Sequence, residues 1–191
     1  MMKKGNQFAL LCFITILAAA CSDNNKPSTG HDQHVHGTQT SASAGKTSTG
    51  AIALTSTTIT LKDPNLDAVY QQYQVLTKAL VVEDVNTAKT AALAIETGAR
   101  EIKGAAAMAR AAAEISSTSD VKAQRLAFAS LNEDLIKLLK DVGLDQGMLY
   151  VAHCPMALND QGASWISTTK EIRNPYFGDS MLTCGSVTET L

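Results

Sequence analysis

The sequence predicts a mainly α-helical domain: an antiparallel bundle of three or four helices. An irregular, turn-rich C-terminal segment packs on it, with room for a short β-hairpin. Three observations lead there. Apolar residues recur at spacings of three and four through the middle of the chain. Alanine is plentiful there while aromatics are only 5%, which favours helices over strands. After Gly147 the helical period stops, and Asn, Pro, Gly and aromatic residues take over.

Each helix has a start and a stop. Asp63 is placed to cap a helix with Pro64 in its first turn, where the missing N–H does no harm. Leu66, Val69, Tyr73, Leu76 and Leu80 then form one apolar stripe. Tyr70 and Tyr73 read as core. Asp84 is the next cap, and Val85, Ala88, Ala92, Ile95, Ala99 and Ile102 continue the period until a break near Gly98 or Gly104. The alanine run from Gly104 to Ile115 is helical by propensity. Ser119 and Asp120 open a last helix, whose seam holds Val121, Phe128, Leu131, Leu135, Leu138 and Val142 before Gly143 stops it. Arg125 lies beside that seam, and the expected partner is Glu96 or Glu133. Short turns between helices imply antiparallel neighbours.

The 45% hydrophobic content excludes wholesale disorder. The net charge of −2 offers no basic footprint, so nucleic acid is not the expected partner. There is no Ser/His/Asp arrangement, phosphate loop or paired catalytic carboxylates in context, and the expectation is a protein that is not an enzyme.

Residues 1–20 read as a signal peptide. Lys3 and Lys4 precede an apolar run from Phe8 to Leu17, too short to span a membrane, and Ala18–Ala20 lead into Cys21. That junction resembles a bacterial lipobox, with Ala18 where leucine is preferred. Cys21 is then the lipidation site, and the expected place is the cell envelope, on the outer membrane facing the periplasm. Loss of Lys3 and Lys4 takes the net charge from −2 to −4.

Residues 21–60 read as a lipidated tether rich in His, Ser and Thr, and 61–191 as the bundle domain. Between Gly37 and Thr60, 12 of 24 residues are Ser or Thr and none is acidic, a composition that cannot bury enough apolar area to offset chain entropy. His31, His34 and His36 sit within six residues there, and imidazole suits Zn(II), Cu(II) and Ni(II).

The chemistry concentrates in residues 147–191. With Cys12 removed and Cys21 lipidated, Cys154 and Cys184 are the remaining thiols. Met156 lies two residues after Cys154, and Met181 three before Cys184. Two readings stand on the residues alone. One is a Cys154–Cys184 disulfide, the default in an oxidising compartment, with the methionines as core filler. The other is a soft metal site of two thiolates and two thioethers, selective for Cu(I) or another thiophilic ion. His153 and Met148 are secondary ligands in that second reading.

The motif Cys-Pro-Met-Ala, an Asn-x-x-Gly turn, Trp-x-Ser, then Ile-x-Asn-Pro-Tyr-Phe-Gly-x-x-Met-Leu-x-Cys-Gly runs from Cys154 to Gly185. It resembles the family called the domain of unknown function thirty-three forty-seven. The Tyr70–Tyr73 helix and the Arg125–Phe128 helix also resemble it, so the likeness covers about Asp63 to Val187. That family occurs in lipoproteins and on periplasmic adaptor subunits of heavy-metal efflux pumps. The resemblance implies copper as ligand class, Cys154, Met156, Met181 and Cys184 as ligands, and Trp165 as a shield against solvent. It favours an envelope lipoprotein that captures or hands over Cu(I), with heavy-metal efflux or envelope proteins as partners. The alternative is a disulfide-stapled helical interaction module docking to an envelope protein and binding no metal.

Overall fold

The computed structural model describes residues 58–191. The signal segment, Cys21 and the His31, His34 and His36 tract lie outside the described residues. Four helices follow one another: α1 Pro64–Val81, α2 Val85–Ala99, α3 Ala106–Ser117 and α4 Val121–Val142. Each packs on the next in sequence, as short connections require. None is long and apolar enough to cross a membrane.

The caps stand where the sequence places them. Asp63 accepts from the N–H groups of Asn65 and Leu66, Asp84 from Thr87, and Asp120 from Lys122. Each satisfies N-terminal donors that the helix itself leaves free. α3 has no side-chain cap and starts at Ala106, after Ala105. Gly143 ends α4, its N–H donating to the carbonyl of Leu139. Gly98 lets α1 and α2 approach closely. A Cβ there would lie 2.6 Å from Val69 Cγ2, inside contact distance.

The C-terminal part is more ordered than a turn-rich segment with one hairpin. Strands β1 (Thr60–Leu61) and β2 (Leu144–Gln146) pair antiparallel at the helix ends. Ile59 and Leu61 belong to the core, so the domain takes in Ile59 and Thr60, which the sequence assigns to the tether. Strands β3 (Tyr150–Cys154), β4 (Ala163–Ser167) and β5 (Ser186–Thr190) form an antiparallel sheet in the order β4-β3-β5. β3 is the central strand and almost wholly buried, and β4 also packs on α4. β5 escapes sequence detection because it is mostly exposed and carries no apolar alternation.

Arg125 corrects its expected partners. It is 8% exposed. Its guanidinium donates to the carbonyls of Leu80 (3.1 Å) and Pro175 (2.8 Å) and pairs with Glu83 (3.1 Å). Neither Glu96 nor Glu133 is its partner, and Glu96 instead pairs with Arg100. The cation therefore sits at the C-terminal end of α1, where a positive charge complements the helix dipole. It ties that end to the 174–178 turn.

Candidate functional site

Aromatic side chains run through the domain as a connected series. Tyr70 stacks on Tyr73 (5.9 Å between centroids), Tyr73 on Phe128 (5.6 Å), and Phe128 meets Tyr176 (5.6 Å). Tyr176 meets Trp165 edge-on at 6.1 Å. The series joins α1, α4, β4 and the 174–178 turn, so the C-terminal segment is welded to the bundle. The expectation that Tyr70 and Tyr73 are core holds, with each 1% exposed.

The hydroxyls of Tyr73 and Tyr176 inside this series are paired. Tyr73 donates its hydroxyl hydrogen to Asn132 Oδ1 (2.6 Å) and accepts from the Ile166 N–H (2.8 Å). Asn132 Nδ2 donates to the Phe128 carbonyl (2.8 Å) and to Tyr176 Oη (3.2 Å). Tyr176 in turn donates to the Ser164 carbonyl (2.7 Å). Satisfaction of this kind is what makes a buried polar network tolerable.

Burial, the largest cause for each, pushes the hydroxyls of Tyr70, Tyr73 and Tyr176 well above the ordinary tyrosine value of 10.0. The folded state therefore holds these protons more tightly than the unfolded chain does. The stability they contribute is complete below about pH 10 and is lost as pH rises above it. Alkaline titration should show the tyrosinate absorbance of Tyr70, Tyr73 and Tyr176 rising together with loss of helical circular dichroism. Ionisation of these three at the ordinary value with helices intact would contradict this burial.

The sequence-predicted sulfur residues fall at the edge of this region. Cys154 ends β3 with no exposure, and Cys184 is half-buried just before β5. They form a disulfide, with Cα atoms 5.9 Å apart across a sequence separation of 30. In this state neither sulfur is a thiolate, so the pair as expected for metal ligation requires reduction.

Local chemistry explains why the two segments meet. Asn174, fully buried, accepts through Oδ1 from the Tyr176 N–H (2.7 Å) and donates through Nδ2 to the Cys184 carbonyl (2.8 Å). Its own N–H donates to the Leu182 carbonyl at 2.7 Å. One asparagine thus holds both arms of the loop that delivers Cys184. Gly185 has φ +124°, and a Cβ there would lie 2.8 Å from the His153 carbonyl oxygen. Only glycine allows the chain to pass so close to β3 in that conformation. The sequence marks Asn174 only as half of an Asn-Pro turn; its positioning role appears in the fold.

The other candidates are spread more widely. Met181 is half-buried, and its carbonyl accepts from the Cys184 N–H (3.1 Å), so one tight turn connects it to the cysteine. Met156 is 47% exposed, and Met148, 54% exposed, precedes β3 at the opposite end of that strand from Cys154. His153 directs Nδ1 to Ser164 Oγ at 3.0 Å. Trp165, 2% exposed, packs close to Gly185. Among the described residues no three His, Cys, Asp or Glu side chains gather as a metal-holding group.

Residues 69–147 match a family model described as "Protein of unknown function (DUF3347)". The matched segment runs from within α1 to the residue after β2, and it is the family that the sequence resembles. The match ends before Cys154, so it rests on the helices and not on the cysteine-methionine motif. No curated protein and no solved structure matches the chain.

Proposed function

With residues 69–147 as a segment of that family, we propose that the chain is an envelope lipoprotein, anchored through Cys21, that captures a soft metal ion such as Cu(I) as cargo. The receiving site is the reduced Cys154–Cys184 pair, with Met181 and Met156 as thioether partners. Capture and handover to an efflux or other envelope protein is the activity, without turnover. The supporting observation is juxtaposition. Two cysteines from distant segments have Cα atoms 5.9 Å apart, and each has a methionine within three residues. Thiolate and thioether sulfur select Cu(I) over hard cations.

Reduction adds two electrons and two protons to the disulfide, and metal uptake then releases the thiol protons. A dithiol-reduced chain should take up Cu(I) at the cysteine pair, whereas the oxidised chain should not. The comparison is made in the full chain against Cys154→Ser/Cys184→Ser, which retains the His31–His36 tract. The disulfide itself favours a second reading, an oxidised, stapled interaction module. Equal uptake by the reduced chain and by the double serine variant would select that reading.

A further inference from the structure

We propose that the cleft between α1 and the strand β4–Arg173 segment binds a small organic anion with an apolar body. The cleft has a volume of about 460 Å³, within the range of small-molecule sites. Its lining includes Val81, Val82 and Ile166 beside the buried rings of Tyr70, Tyr73 and Trp165, so apolar side chains form much of its wall. Two cations stand at its rim, Lys78 from α1 and Arg173 from the loop after β4. Arg173 has Glu171 at 3.8 Å. Lys78 is exposed at that rim, with no ion-pair partner among the described residues.

A second observation points into the same space. Tyr70 is 1% exposed, yet its hydroxyl has no hydrogen-bond partner among the described residues, unlike those of Tyr73 and Tyr176. It is also not among the sealed, unsatisfied atoms of the interior, which are Thr60 Oγ1 and Gln124 Oε1. The hydroxyl is therefore not fully sealed, and Tyr70 lines the cleft. Burial keeps it protonated, so it is a neutral donor for an acceptor on the ligand. Lys78 supplies the charge for a carboxylate or sulfonate. Cys154 and Cys184 do not line the cleft, so this site stands apart from the metal reading.

The test uses the full chain in detergent, titrated with 2-naphthoate against a micelle-only blank and read by calorimetry and by Trp165, the one tryptophan. Saturable binding with a change in Trp165 emission is expected, in the oxidised chain and in Cys154→Ser/Cys184→Ser alike. Lys78→Gln, an exposed change that spares the fold, should weaken binding about tenfold, the size of one charge-assisted hydrogen bond. Tyr70→Phe should weaken it several-fold while the melting temperature stays close to that of the parent. No saturable binding above the blank would overturn the proposal. So would unchanged affinity in both variants, or binding that leaves Trp165 emission unaltered.

Discussion

Tyr73→Phe should destabilise the domain by about 3 kcal/mol, although it removes a single oxygen. The hydroxyl satisfies two buried groups at once, Asn132 Oδ1 and the Ile166 N–H. Each group left without a partner costs roughly 1–3 kcal/mol, because folding has already removed it from water. The ring itself stays, so stacking on Tyr70 and Phe128 is retained and the loss isolates the hydrogen bonds. Denaturant unfolding with an unchanged slope would measure it. Tyr73→Phe combined with Asn132→Leu should recover part of the loss, since replacing both partners by apolar groups removes the orphaned acceptor. A loss below about 1 kcal/mol for the single variant would show that water reaches the site and replaces the hydroxyl.

Cys154→Ala with Cys184→Ala should cost about 3–4 kcal/mol of the oxidised chain's stability. The crosslink closes a loop across a sequence separation of 30, and loop-closure entropy of the unfolded chain sets that scale. The Asn174 bonds and the aromatic series stay in place, so the variant should fold with the same sheet. Reduction of the parent should reproduce most of the loss. If neither change moves the melting temperature, the loop is held by Asn174 and Tyr176 alone, and the disulfide contributes little.

Local signals were readable in the sequence, and non-local ones were not. Asp63, Asp84 and Asp120 act as caps as expected because a cap is decided by donors within three residues of it. The apolar stripe of α1 likewise faces the core, as do Phe128, Leu131 and Leu135 of α4, while Leu138 and Val142 are half-buried and Leu139 is the buried residue of that turn. The partners of Arg125 are not legible in the sequence because Leu80, Glu83 and Pro175 are 42–50 residues away. Strand β5 leaves no signal in the sequence because an exposed edge strand needs no apolar alternation. Asn132, between Leu131 and Leu135 on the buried seam, was the one sequence clue to the tyrosine network, since an uncharged polar side chain there demands partners. The nearness of Cys154 and Cys184 was required by both the disulfide and the metal readings. The arm that brings them together, Asn174 with Gly185, shows itself only in three dimensions.

The most direct test of metal capture is a competitive Cu(I) titration of the reduced full chain, set beside Met156→Leu/Met181→Leu. The swap nearly conserves volume, so stability should fall by less than about 1.5 kcal/mol. The account predicts uptake of one equivalent dependent on Cys154 and Cys184, with affinity lowered about tenfold or more once the thioethers are gone. No uptake beyond that of the double serine variant, or an affinity indifferent to the loss of both methionines, would contradict it.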